Sequence, residues 1–283
     1  MSKKRKRISL AIWLSLILAS LAGVVLTGSS AQTESIQELM RDAVLHESNK
    51  IDLFGMEVNP GLISAFTVTG LLLLAALLIR IFVIPKFKYV PGKFQLLLEQ
   101  LVGFFNGLGT SNSPHRHSFL NVYIFGAGVY IFFGTLFELF GLQAVTTHGL
   151  SISLPAPLSD INAAIALGCL SYLVILSGGI VANGLRGVGK TLKDFSLPIS
   201  MSFRLFGALL SGLLVTELVY YYSSLSYVLP VVVAVLFTLL HALIQTYVLV
   251  VLTATYFGEV TEPHVKKPGA KKVKGKAKAG AAA

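Results

Sequence analysis

At 283 residues, with 54% hydrophobic and only 13% charged side chains, the chain is too apolar for a soluble domain of its length. Its mean hydropathy of +0.75 is that of a polytopic membrane protein, and at about 20 residues per crossing the apolar runs supply five or six spans and leave no room for a soluble catalytic domain. The net charge of +10 resides in short segments between apolar runs, where Lys and Arg set topology, and this argues against a nucleic-acid partner.

Met1 to Arg7 is a basic n-region, Ile8 to Leu26 an apolar h-region, and Ser29-Ser30-Ala31 offers small residues where a signal peptidase reads. Residues 1–31 therefore read as a secretory signal peptide. The alternative is a retained N-terminal helix, because 19 residues are also enough to span. Both readings export the segment beyond residue 31. Residues 32–60 form a polar, acidic extracytoplasmic segment with Glu34, Glu38, Asp42, Glu47, Asp52 and Glu57 against Arg41 and Lys50; Gln37 to Leu45 suits a small helix, and Gly55 and Asn59-Pro60 punctuate the approach to the membrane.

Residues 61–258 form the membrane domain. Gly61 to Ile84 is a Leu-rich span closed by Arg80, Pro85, Lys86, Lys88 and Lys93, a cluster that places its far end in the cytoplasm. In Phe94 to Leu108 the apolar residues are interrupted by Gln95, Glu99, Gln100 and Asn106, which suits an interfacial helix better than a span. His115 and His117 in the loop after it lack nearby thiolates or carboxylates, so no metal site is expected. Phe119 to Leu142 crosses outward and carries Glu138 near its far end. The loop Gln143 to Ser159 contains His148, and Asp160 to Ala182 returns inward, with Asp160 and Asn162 at its start where Asp caps helices. Cys169 lies in this apolar run and is expected to pack as a small hydrophobe.

Arg186, Lys190 and Lys193 mark a cytoplasmic turn from Asn183 to Asp194, followed by two long apolar segments, Phe195 to Tyr222 and Pro230 to Phe257. Each is about 40 Å long as helix, more than a hydrocarbon layer of about 30 Å requires, which predicts tilt. Residues 259–283 are a low-complexity basic tail with seven lysines, suited to contact with anionic lipid. The fold expected is an all-α polytopic membrane protein of five mature transmembrane crossings plus an interfacial helix, the last two long helices forming a tilted hairpin.

Of the 23 Lys and Arg residues, only Arg41 and Lys50 fall in segments assigned outside, and one arginine, Arg204, is left within the membrane. Between Asp194 and Glu259, 64 residues carry two formal charges, Arg204 and Glu217. A guanidinium at mid-helix in hydrocarbon costs roughly 2.5 to 3.5 kcal/mol and does not lose its proton. A water-filled cavity, a buried carboxylate or a partner subunit must offset that cost.

At 100° per residue, Ser200, Gly207, Ala208 and Ser211 share the side of Arg204, and Gly212 continues the small-residue seam. Small residues admit a close neighbouring helix, which is either one of this chain's own or one from a partner that brings a carboxylate to Arg204. In the last helix Thr238, His241, Gln245, Leu252 and Thr253 lie on roughly one face, extended by Tyr256. His titrates near neutrality, so His241 and Gln245 suit a wet path, although a lone His is commonly held by structural hydrogen bonds. Glu217 lies about 140° round the helix from Arg204 and about 20 Å along it, too far for a direct pair. Together with Glu138 and His148 it supplies polar groups on the extracytoplasmic side.

These features resemble subunit a of the F-type ATP synthase, over about residues 50 to 258. The match rests on Ser202-Phe-Arg204-Leu-Phe-Gly207 with Pro198 six residues before the arginine, and on Gln245-Thr-Tyr-Val-Leu-Val-Val-Leu252-Thr253. Weaker local matches stand in the right order: Val90-Pro-Gly-Lys-Phe-Gln95, Glu99, Gly103-Phe-Phe-Asn106-Gly107, Glu138-Leu-Phe-Gly141-Leu142, and Pro157 with Asp160-Ile-Asn162. The resemblance implies a bacterial inner-membrane subunit, C-terminus cytoplasmic, partnered by c-ring subunits, b-type peripheral-stalk subunits and through them the rest of the synthase, with membrane lipids around it. It implies two offset half-channels carrying H+, with Na+ as the alternative ion. Arg204 would meet the ring carboxylate and Gln245 would neighbour it across the hairpin. No cofactor, metal or nucleotide site is implied; Gly187-Val-Gly-Lys190-Thr191 lacks the full phosphate-loop spacing.

The chain departs from the family pattern at the inlet. The family usually has Asn where Ala208 stands, and many bacterial members have an acid and a His where this chain has Leu213 and Thr238. Glu217 and His241 are the nearest substitutes and would serve one inlet through water. Glu138 stands where the family often has Asn, so an inlet shifted towards its helix is the alternative. Two other classes compete: a secondary transporter, which predicts related halves that the sequence does not display, and a scaffold packing small-residue helices, for which Arg204 and Glu217 would be costly.

Overall fold

The computed structural model describes residues 51–53, 56–145, 151–221 and 229–263, with residues 12–15, 17–19, 22, 35 and 37 besides. The cleavage region at 29–31, the expected helix beyond Gln37, His148 and the lysine-bearing tail lie outside the described residues.

Hydrocarbon leaves every backbone amide to be satisfied within its own helix, and the long apolar runs fold accordingly. Helix α1 (Pro60–Leu78) is capped by Asn59, whose side chain accepts from the Gly61 amide at 2.9 Å, with Pro60 in the first turn, where its missing N–H costs nothing. Pro85 has no amide to donate, and the helix ends through a π turn over Ile79–Val83, in which the Ile84 amide reaches Ile79 O, and a 3-10 turn over Ile84–Lys86. Helices α2 (Lys93–Asn112), α3 (Ser118–Phe137), α4 (Ile161–Asn183), α5 (Leu185–Lys193), α6 (Ser196–Tyr221) and α7 (Leu229–Thr261) complete the order. Among the described residues five helices are long and apolar enough to cross a membrane: α1 with its extension, α3, α4, α6 and α7. The protein is an all-α membrane bundle, and α2, interrupted by polar residues, is not one of the five.

Two short antiparallel hairpins interrupt the connections where the sequence pattern predicts only loops. Strand β1 (Ile51–Leu53) pairs with β2 (Met56–Val58) in the register Ile51 to Val58, and β3 (Gln143–Val145) pairs with β4 (Ser151–Ser153) in the register Gln143 to Ser153. Asp160 caps α4 as expected, its carboxylate accepting from the Asn162 amide at 2.9 Å.

The starts of α1 and α4 lie together, since a β-carbon at Gly61 would sit 3.1 Å from Asp160 Cβ. The ends of α4 and α7 also lie together, Asn183 Nδ2 donating to Val260 O at 2.7 Å. Helix α3 runs the other way, Gly134 near its end facing Pro157. The core is built from one side of each helix: Leu120, Ile124 and Ile131 of α3, Ala164 and Ile175 of α4, Met201, Leu205 and Leu209 of α6, and Leu249, Val250, Ala254 and Phe257 of α7. Lipid is as apolar as these side chains, so close fit and hydrogen bonds hold them together. Phe257 lies over Gly178, and Phe105 of α2 and Val250 over Gly128.

Where the charges predict a turn from Asn183 to Asp194, the chain forms helix α5 and doubles back along α4. Gly187 and Thr191 bury themselves against Gly179, and Tyr172 Oη donates to Thr191 O at 3.1 Å. Helix α6 consequently begins beside the middle of α4: a β-carbon at Gly168 would lie 2.9 Å from Pro198 O. From that crossing α4 has about 10 Å left before its start, whereas α6 continues for about 35 Å. In a hydrocarbon layer of about 30 Å that excess is accommodated by inclining the hairpin of α6 and α7. Helix α7 also outlasts the predicted end at Phe257 and reaches Thr261, its last carbonyls accepting from Asn183 and from Lys190 Nζ, the latter at 3.4 Å to Glu259 O.

Candidate functional site

Helix α6 divides its sides by residue size and polarity. Leu197, Met201, Leu205 and Leu209, each four residues apart, are buried, and Ser202 is satisfied locally, donating to Pro198 O at 2.6 Å. Ser200, Phe203, Arg204, Gly207 and Ser211 are exposed, and a β-carbon at Gly207 would meet nothing within 4 Å. Ser211 folds its hydroxyl onto Ala208 O at 2.8 Å, and Ala208 is half-buried. Arg204 has no ion pair or hydrogen bond of its side chain among the described residues. Among the described residues, no helix of this chain covers Ser200, Gly207 or Ser211.

Gly212 leaves that seam. It faces α7, where a β-carbon on it would lie 3.6 Å from His241 Nδ1. His241 is half-buried, its ring centroid 5.8 Å from that of Phe237. Counting along the antiparallel hairpin from the Gly212 and His241 contact brings Gln245 level with Ala208, four residues or about 6 Å along the α6 axis from Arg204.

The polar side of α7 points into the bundle. Thr238, Gln245 and Thr253 are buried, whereas Leu252 and Tyr256 are half-buried. Gln245 Oε1 and Thr253 Oγ1 have no hydrogen-bond partner among the described residues. A buried acceptor left unmatched costs about 1 to 3 kcal/mol, so these atoms mark places suited to water. Thr246 donates to Gly128 O of α3 at 3.5 Å.

The remaining candidates lie apart from Arg204. Glu138 opens the 3-10 turn at the end of α3, half-buried and adjoining α7. Asp160 is engaged as the α4 cap and Asn162 is exposed. Residue 217 lies in α6 five residues past Gly212. Cys169, expected to pack as a small hydrophobe, is exposed on α4 and lines an apolar cleft of about 200 Å³ with Ile165, Ile199 and Phe203; a face turned to lipid accepts a small apolar side chain as readily as a core does.

Sequence reasoning passed over the bond between Tyr123 and Ser171 hydroxyls, 2.7 Å, which ties α3 to α4. It also passed over Asn183 and Lys190, which hold the end of α7. Polar residues facing each other from two apolar runs were the available signal, but a single sequence does not reveal which runs are neighbours.

An unpaired cation on the outer side of the hairpin, with an imidazole and an uncommitted amide on its inner side, can present charge to a partner on one side and hydrogen-bonding groups to water on the other. The chain matches the model of the ATP synthase A chain family over residues 64–258.

Proposed function

The chain belongs to the ATP synthase A chain family, and from that membership and the placement of Arg204 we propose that it is the membrane stator subunit of a rotary F-type ATP synthase. It provides two offset half-channels that load and unload H+ on the carboxylates of a c-ring. The observation that carries the reading is Arg204, a permanent cation within an apolar helix, exposed beside the open seam of Ser200, Gly207 and Ser211 and unpaired among the described residues. A ring carboxylate at that face would offset the cost of the charge, and the guanidinium would favour its ionised form. Arg204 thus holds the carboxylate unprotonated between the two half-channels and blocks direct leakage, without relaying a proton itself.

Gln245, His241 and Thr238 line the inner side of the hairpin and, with Glu217, Glu138 and His148, serve the inlet through water; Asp160 and Asn162 stand at its outer rim. The subunit sits in the bacterial inner membrane with its C-terminus cytoplasmic, beside the c-ring and the b-type peripheral-stalk subunits. The test is reconstitution of the complete synthase carrying Arg204→Ala in vesicles, with ATP-driven H+ and Na+ uptake measured separately. Loss of uptake is expected; full coupled transport in the variant would sink the proposal.

A further inference from the structure

Beyond ion translocation, we infer that the chain holds one anionic phospholipid in the cleft between the end of α1 and the start of α2. The cleft, about 530 Å³, is lined by Phe82, Val83, Phe87 and Phe94 and by Lys86, Lys88 and Lys93. This volume falls within the range of about 300 to 1,000 Å³ of small-molecule sites. A single turn of helix, 10–12 Å across and 5.4 Å long, would fill roughly all of it, so the space suits a headgroup with its glycerol and not a docked helix.

Chemistry selects the occupant. Phe82 and Val83 belong to the apolar run of the first span, which ends at Lys86, so one wall lies at hydrocarbon depth. The three lysines follow within ten residues of Val83. They have no ion pair among the described residues. Glu99, the carboxylate of this region, is engaged by Gln95 Nε2 at 2.7 Å. Gln95 also clasps the connection, accepting from the Lys88 amide at 3.0 Å and donating to Lys88 O at 2.9 Å, which fixes the cleft against the first turn of α2. A ligand that is apolar at one end and anionic at the other fits these walls, and basic pockets beside spans bind such headgroups.

The test uses the full chain purified in mild detergent, with native mass spectrometry of palmitoyl-oleoyl phosphatidylglycerol against the matching phosphatidylcholine. Wild type is expected to retain the anionic lipid preferentially. The variant Lys86→Gln, Lys88→Gln, Lys93→Gln should lose about 100-fold in apparent affinity, about 5-fold per lysine, and the corresponding Arg variant should stay near wild type. The basic tail is present in every variant, so the difference reads the cleft. If the triple variant does not fold, Lys88→Gln alone should show the 5-fold loss. Equal retention of the two lipids, equal retention by wild type and Gln variants, or loss of an acidic protein partner with lipid binding unchanged would each overturn the inference.

Discussion

His241 lies against Gly212, with 3.6 Å between the imidazole Nδ1 and the place where a β-carbon on the glycine would be. That contact fixes the register of the α6 and α7 hairpin and sets the titratable ring eight residues, about 12 Å, beyond Arg204 along α6. A separation of 3.6 Å is ordinary van der Waals distance, so Gly212→Ala should couple nearly as well as wild type. Gly212→Leu should push the imidazole aside and lower ATP-driven H+ uptake several-fold. Measuring uptake across Gly, Ala, Val and Leu checks it; indifference to size would detach His241 from the ion path.

The open seam makes a prediction about reach. Cysteines placed at Gly207, Ala208 or Ser211 should crosslink to a ring helix in the assembled synthase, whereas cysteines at Leu205 and Leu209, both buried, should not. Exclusion of the ring from all three seam positions, or equal yield from the buried pair, would reverse the facing assigned to α6.

Gln245 separates stability from function. Its Oε1 is buried without a partner among the described residues, so Gln245→Leu removes an uncompensated acceptor and should leave the thermal stability of the isolated chain unchanged or higher by about 1 kcal/mol. The same variant should reduce coupled transport at least tenfold. A fall in stability would indicate that the amide is a structural bond-maker instead.

The end of α7 depends on Asn183. Asn183→Ala removes donors to Val260 O and Glu262 O and should cost about 1 to 2 kcal/mol. Amide hydrogen exchange over residues 258 to 262 should accelerate about 5- to 30-fold, with residues of α3 unaffected.

Gly178 gives room to Phe257. Gly178→Val should destabilise by about 1 to 3 kcal/mol through overpacking, and Phe257→Ala in the same chain should recover part of the loss. Additive losses in a double-mutant cycle would show that the two positions do not share this space.

The candidate site was legible in unequal measure. Arg204 stood out because charge in an apolar run is costly wherever the helix packs, and the cap Asp160 was readable because it acts within two residues of itself. Helix α5 was hidden: nine residues with glycines and three basic side chains look like a turn until Gly187 is seen against Gly179. The hairpins of β1 with β2 and β3 with β4 were also missed, since three-residue strands carry too little alternation to register.

By itself the sequence determined the number and order of the crossings, the family and the anomalous cation, because these depend on hydropathy, spacing and the cost of charge, all of which are local along the chain. Tertiary structure alone decided that the Arg204 side of α6 is open, that Gln245 turns inward, that Cys169 turns outward and that α6 starts beside the middle of α4. The reason lies in the solvent. Hydrocarbon accepts a leucine as readily as a protein core does, so the inner and outer sides of these helices differ little in apolarity, and only the fit of one helix against another assigns them.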